Sequence, residues 1–288
     1  MKNTYVYEQT HYDGSQPIYL WNFGSDSSGH LIYCNWHKEI EFVYVNEGSL
    51  CLYIDEKPIT LQKGEIGIVN SNRMHYGHPA SEAFCDITVM LFDLQQLLSV
   101  EKGMNEKHLK ALAQNELWFS SHITMDMPSY PTITDIMDKI TVCWERKPSA
   151  YELKMKSLLF DLLFVFSGTE HLLVHEHEWG TPKTLEKKEK LMKLTGFLEI
   201  HYPEKLSVSQ LADIVYMGTD AFYKFMVSMT GTSPVTFINQ FRLRKAAELL
   251  QETNYSVTEI CFQTGFSNVS YFIRCFNEFY GCTPGKYR

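Results

Sequence analysis

The histidines and carboxylates in the first two thirds of the chain are the side chains best suited to acid–base or metal chemistry. His37 and Glu41 stand four residues apart, where apolar residues begin to alternate. A strand aims every second side chain at the same face, so this even spacing turns both toward one side. Imidazole and carboxylate together suit a divalent transition metal. Further on, His171 and His175 are spaced by one helical turn, with His177 beyond them. No glutamate follows His171 as in HExxH, so the spacing predicts a solvated helix end rather than a metal site. The seven cysteines are scattered and form no CxxC pair. That argues against a disulfide framework or a zinc finger and fits a reducing, cytoplasmic setting. No nucleophile–base motif, phosphate-binding loop or carboxylate pair stands out elsewhere.

A different chemistry, the reading of base edges, is indicated from Tyr255 to Arg288. Val257, Ile260 and Cys261 fall at helical spacing, as do Phe272, Cys275, Phe276 and Phe279. Between them, Gly265 suits a left-handed turn because it has no Cβ to clash. Phe266 would fill the corner, and Ser267 would cap a second helix beginning near Asn268. Two short helices across a tight turn make a helix-turn-helix, whose second helix enters the DNA major groove. The pattern occurs twice. From Ser207 to Gly231, Leu211, Ala212 and Val215 stand in for Ile260, Cys261 and Thr264. Phe222, Phe225 and Met226 stand in for Phe272, Cys275 and Phe276, and the turn is one residue shorter. Such self-similarity marks a repeated unit. Phe237 to Gln251 is predicted to be a connecting helix, apolar at Phe237, Phe241, Leu249 and Leu250, and charged at Arg242, Arg244 and Lys245.

The terminal block GFSNVSYFIRCFNEFYGCTPGKYR, with FRLRKAAELL before it, resembles the DNA-binding domain of the arabinose-operon regulator family (AraC/XylS) over the C-terminal third of the chain. Tyr216 departs from the family, standing where glycine is frequent. Val227-Ser228 and Asn277-Glu278 replace frequent lysines, which lowers the expected phosphate affinity. The resemblance implies two recognition helices in successive major-groove segments. Carried over residue by residue, Asp220, Tyr223 and Lys224 face base edges in the first, and Val269, Ser270, Ile273 and Arg274 in the second. Lys224 and Arg274 are the expected guanine readers, while Val269 and Ile273 suit thymine methyls. Asp220 either accepts from cytosine N4 or caps its helix. Phe222, Phe225, Phe272 and Phe276 are expected in the core.

From Tyr19 to Phe92 the chain reads as strands, clearest at Glu41–Val45, Ser49–Ile54 and Glu65–Val69. Turn signals lie at Asn46–Gly48, Asp55–Pro58 and Gln62–Gly64. The order Asn35-Trp36-His37, Glu41, Gly48, Gly64, His75 resembles the cupin, or double-stranded β-helix, that many members of the same family carry before the DNA-binding domain. Metal-binding cupins place His, His, Glu and His at the positions of Asn35, His37, Glu41 and His75. Asn35 is a poor ligand for a transition metal. The resemblance therefore implies a pocket for a polar small molecule such as a sugar, with no metal or other cofactor. Tyr19, Trp21, Trp36 and Tyr76 would supply aromatic walls or serve as ordinary core.

Between these parts the spacing turns helical, with helices predicted over Asn105–Leu117, Thr132–Trp144 and Tyr151–Phe166. The last two either complete the N-terminal core or pair two protomers, as the resemblance implies. The apolar run Leu158–Phe166 is too short to span a bilayer and contains Asp161. Gly180 to Lys183 reads as a linker, and Leu185 to His201 as a charged helix. The net charge of −8 divides unevenly: residues 183–288 hold 13 basic and 10 acidic side chains, leaving 13 and 24 in 1–182. A mildly basic tail behind an acidic front fits one nucleic-acid domain joined to one that avoids DNA.

The expected fold is α+β. It comprises a cupin-like ligand-sensing barrel at 1–93, a helical dimerisation segment at 94–179 and an all-α tandem helix-turn-helix domain at 184–288. The expected function is a cytoplasmic transcription regulator, an activator by the family's common mode. It would bind promoter DNA as a homodimer, respond to a small polar effector and engage RNA polymerase, without enzyme activity or membrane contact. The alternative is a cupin metalloenzyme, a sugar isomerase or dioxygenase, with an appended DNA-binding module.

Overall fold

Strand alternation and helical spacing segregate into two compact units, divided near residue 178. The computed structural model describes residues 18–25, 31–35, 37–81, 84–94, 97, 110–112, 114, 116–168, 171–174 and 182–288.

The first unit contains strands β1 (Ile18–Ser25), β2 (Ile32–Asn35), β3 (Ile40–Glu47), β4 (Ser49–Ile54), β5 (Lys57–Gln62), β6 (Ile66–Val69), β7 (His75–Pro79) and β8 (Cys85–Phe92). After them come β9 (Leu117–Phe119), β10 (His122–Ile123), helices α1 (Tyr130–Arg146) and α2 (Tyr151–Ser167), and β11 (Leu172–Val174). Two antiparallel sheets form, in the orders β1-β8-β3-β6-β10 and β2-β7-β4-β5, and β11 pairs with β9. In β4 only Leu50, Leu52 and Ile54 are fully buried, as expected of a strand with one face in the core. Strand β3 differs: Ile40, Glu41, Phe42 and Val43 are all buried, so the five-stranded sheet is covered on both sides. On one side Ile40, Phe42, Ile68 and Met90 join Ile133, Ile136 and Ile140 of α1 and Leu159, Leu162 and Phe166 of α2 in one apolar cluster. Each such side chain contributes about 1.5–3 kcal/mol by leaving water. On the other side the four-stranded sheet presses close. A Cβ on Gly67 would lie 2.7 Å from both Leu52 and Leu61, so glycine is what lets the sheets meet there.

Asp55 and Glu56 both have positive φ, the signature of a two-residue hairpin between β4 and β5. The sequence reading took Lys57-Pro58 for turn, but both belong to β5. That strand is at a sheet edge, where a proline's missing N–H costs no ladder bond. The short strands β9, β10 and β11 were not foreseen. Leu117, expected to end a helix, opens β9, while most of the expected helix lies outside the described residues. A side chain anchors this region: Asn70 donates to the Phe119 carbonyl at 2.9 Å and accepts from its N–H at 2.8 Å, as a paired strand would.

The second unit contains α3 (Pro182–His201), α4 (Val208–Ile214), α5 (Thr219–Thr230), α6 (Pro234–Glu252), α7 (Val257–Gln263), α8 (Val269–Tyr280) and α9 (Pro284–Tyr287). Pro182 and Lys183, read as linker, are already helical, whereas Gly180 lies outside the described residues. Capping boxes open α4 and α7, at Ser207 with Gln210 and Ser256 with Glu259. Asn268, not Ser267, caps α8 by accepting from the Tyr271 N–H. Helix α6 is the hub. Its buried Phe237, Phe241, Ala246, Ala247 and Leu250 underlie α5, α7, α8 and α9. The first turn, 215–218, is one residue shorter than the second, 264–268. Among the described residues no helix is long and apolar enough to cross a membrane.

Candidate sensor pocket and nucleic-acid interface

Glu41 pairs in register with Leu91 of β8, and Leu91 pairs with Tyr19 of β1. Register partners share a sheet face. Tyr19 and Trp21 therefore lie on Glu41's face, two strands away, with their rings stacked at 5.8 Å. His75 opens β7 in the other sheet, opposite Asn35 of β2 and Ile54 of β4. Its Nε2 nevertheless reaches to 3.2 Å from Glu41 Oε2, and the Nε2 of His37 lies 3.0 Å from the same oxygen. The two imidazoles meet edge to face at 5.0 Å. Glu41 and His75 are fully buried, and the His37 side chain is 14% exposed.

The three residues expected to converge do so, but His37 arrives differently. It precedes β3, in a loop held by the Asn72 N–H donating to the His37 carbonyl at 2.7 Å and by Ser71 Oγ donating to the Lys38 carbonyl at 2.7 Å. Lys38 secures the same loop through Asp93, at 2.7 Å. The even spacing to Glu41 is thus not a strand effect. Trp36 lies outside the described residues. Tyr76 follows His75 along β7 and so points to the opposite face. There it stacks on Tyr53 at 4.6 Å and does not line the cluster. Burial alone would push the Glu41 carboxyl up, but the adjoining imidazoles outweigh it and hold the group down at about 2. Burial works against charge on His75 too, yet the Glu41 carboxylate keeps it above the ordinary histidine value.

His171, expected at a solvated helix end, is instead buried in a turn before β11, with its Nε2 against Ser129 Oγ. His175 and His177 lie outside the described residues.

In the second unit both candidate recognition helices split into two faces. On α5, Phe222, Phe225 and Met226 are buried while Asp220, Tyr223 and Lys224 are exposed. On α8, Phe272 and Phe276 are buried, Ser270 and Arg274 are exposed, and Val269 and Ile273 are half-buried. The N-cap of α5 is Gly218, so Asp220 is not the cap. Its carboxylate occupies the first turn, where the helix dipole favours negative charge. Arg274 lies 5.3 Å over the Tyr271 ring and 3.9 Å from Glu278. Asn239 of α6 donates to the Tyr271 hydroxyl at 3.1 Å. Tyr271 was not singled out from the sequence, although its i, i+3 spacing to Arg274 makes them neighbours on a helix. The two turns solve one backbone problem differently: Gly265 has φ +82° and Tyr216 φ +56°. Arg242, one of the charges read on the connecting helix, donates to the carbonyls of Tyr202 at 2.8 Å and Glu204 at 2.7 Å, tying α6 to the end of α3.

The family profile described as an AraC-like ligand binding domain matches residues 26–163, and that of a helix-turn-helix domain matches 211–288. The chain belongs to the AraC family of transcriptional regulators. Each profile falls within one unit, so the β-rich half is the family's ligand-binding domain and the helical half its DNA-binding domain. An HTH-type regulator of Bacillus subtilis (strain 168), YdeC, is 24% identical over 264 residues, covering 88% of this chain and 85% of that one. The HTH-type transcriptional activator RhaS of Enterobacter sp. (strain 638) is 23% identical over 254 residues, covering 88% and 86%. A crystal structure of ToxT from Vibrio cholerae is 13% identical, with a TM-score of 0.44 and 94% of both chains covered.

Proposed function

We propose that this AraC-family protein is a cytoplasmic activator whose ligand-binding domain senses a small polar effector such as a carbohydrate. The observation that carries the DNA-reading half is the exposed polar face on each of α5 and α8, opposite a buried aromatic face. In this reading Asp220, Tyr223 and Lys224, with Val269, Ser270, Ile273 and Arg274, meet base edges in two successive major-groove segments. Lys224 and Arg274 read guanine O6 and N7. Asn35, His37, Glu41 and His75, with Tyr19 and Trp21, contact the effector. The likeness to a relative named as an activator supports the activating mode. RNA polymerase is then the partner, and no enzymatic step is required.

The protein acts as a homodimer in this reading. Helix α2 offers the surface: Leu153 and Phe164 are 65% and 78% exposed, and Phe160 between them is half-buried. Their i, i+7, i+11 spacing makes one apolar stripe, opposite the face that packs on the sheet. A second copy of the same helix is the occupant with matching chemistry.

Binding to DNA from upstream of its own gene, followed by fluorescence anisotropy, tests the proposal. Affinity should fall steeply as salt rises, because phosphate contacts release counterions. A thermal-shift screen of sugars and small acids then identifies the effector. Binding that ignores both salt and sequence would refute the base-reading role.

A further inference from the structure

Arg274 stands between two neighbours on α8 that draw it in opposite directions. One turn toward the N-terminus, the Tyr271 ring lies 5.3 Å beneath its guanidinium. One turn toward the C-terminus, Glu278 Oε1 lies 3.9 Å from its Nε, too far for a hydrogen bond. The guanidinium therefore rests on the ring, and the carboxylate does not take up its edge. Tyr271 is itself held at three points. Its N–H donates to Asn268 Oδ1 at 2.8 Å, its ring borders that of Phe266 at 6.2 Å, and its hydroxyl accepts from Asn239 of α6 at 3.1 Å. With 40% of its surface exposed, Tyr271 is not a core residue. The first copy shows that the fold does not need it. Phe222 matches Phe272, so Ala221, Lys224 and Ser228 match Tyr271, Arg274 and Glu278. Helices α5 and α8 are both 12 residues long, and α5 forms with an exposed Ala221 in place of the ring. Ring and competing carboxylate thus occur together, in the copy whose cation is arginine.

We propose that Tyr271, tied by Asn239, is a positioning residue that sets the Arg274 guanidinium for guanine and makes the second recognition helix the more discriminating of the two. A guanidinium is planar and stacks on an aromatic face, which leaves its N–H edge pointing outward in a fixed plane. Bidentate donation to guanine O6 and N7 needs that plane in line with the base pair. Without the ring, Glu278 would draw the cation toward itself, since residues four apart are neighbours on a helix. Holding the side chain in its bound orientation also removes part of the freedom it would lose on binding. Lys224 has neither aid. Its ammonium is a point charge on a flexible stem, with Ala221 one turn before it. The proposal rests on the reading of Arg274 as a base contact.

The test uses the full chain and a pool of randomised DNA duplexes. Selection and sequencing with the parent and with Arg274→Ala identify the base pair that Arg274 reads. Tyr271→Leu should lower the preference at that pair about 2–5-fold, the value of a cation on an exposed ring. Its affinity for unrelated duplexes and its melting temperature should match the parent's, whereas a merely structural role would weaken every position together. Tyr271→Phe keeps the ring but drops the Asn239 tie, so its loss should be smaller and at the same pair. Adding Glu278→Gln to Tyr271→Leu should recover preference there by removing the competing carboxylate. In the Arg274→Ala background, Tyr271→Leu should change nothing further at that pair. In the parent, the pair assigned by Lys224→Ala should show the weaker preference of the two. Should leucine perturb the fold, Tyr271→Gln is the second variant without a ring. Unchanged preference in the ring-less variants, or a stronger preference at the Lys224 pair, overturns the proposal. So does a further loss in the Arg274→Ala background, which would make Tyr271 a base contact, or uniform weakening by Tyr271→Phe, which would make its hydroxyl a phosphate contact. If Arg274→Ala alters no base preference, the base-reading assignment itself fails and takes the proposal with it.

Discussion

Replacing Gly265 with alanine should unfold much of the DNA-binding unit although it removes no contact. Two costs add. The backbone sits at φ +82°, where a side chain is disfavoured by about 1–2 kcal/mol. The new Cβ would also lie 2.6 Å from the Tyr202 carbonyl oxygen, 2.9 Å from that of Pro203 and 3.0 Å from Arg242 Cζ. The Tyr202 carbonyl accepts from Arg242, so relief of the clash strains or breaks that bond. A hydrogen bond to a charged group is worth about 1.5–3 kcal/mol. The sum is about 2.5–5 kcal/mol, a large share of the stability of a typical domain. Urea unfolding of residues 179–288, followed by circular dichroism, measures it. With a slope of about 1.5 kcal/mol per molar urea, the midpoint should drop by about 2 M or more. The reverse substitution in the other copy is the control. Tyr216→Gly relieves a positive φ but loses the Lys193 contact over the ring, worth about 0.5–1 kcal/mol at an exposed site. It should be nearly neutral. A midpoint shift below about 0.5 M for Gly265→Ala, or a larger loss at Tyr216 than at Gly265, would refute this account of the turns.

Arg274→Ala should cost about 1–3 kcal/mol at one base pair and relax preference there. Equal weakening across all sequences in a competition assay would make Arg274 a phosphate contact instead. Phe164→Glu should shift the full chain from dimer to monomer in analytical ultracentrifugation without lowering its melting temperature, because Phe164 is 78% exposed. An unchanged sedimentation coefficient would remove α2 from the dimer interface.

The helical half was more legible in the sequence than the β half because its determinants are local. Caps such as Ser256 with Glu259, the Gly265 turn and the Phe272–Phe276 stripe lie within a few residues of what they control. Even the one-residue difference between the turns could be read. In the β half, β9, β10 and β11 are two or three residues long and owe their existence to partners far along the chain, as Phe119 does to Asn70. No periodicity develops in so short a run. The convergence of His37, Glu41 and His75 was suggested by resemblance, but the route was not: a loop before β3 delivers His37. The tie made by Arg242 was not legible because its bonds go to main-chain carbonyls, which leave no trace in residue types.

Strand β3 runs between two occupied spaces with neither face free. Glu41 faces the imidazole pair, while Phe42, the next residue, meets Phe166 of α2 at 5.7 Å. Successive side chains of a pleated strand are rigidly geared through one peptide plane. A displacement of the Glu41 backbone therefore strains the packing of Phe42 on the helix layer, since close-packed interiors have little slack to absorb it. The stroke crosses the sheet in a single residue, and whatever loads the imidazole side loads α2 through a lever one pleat long.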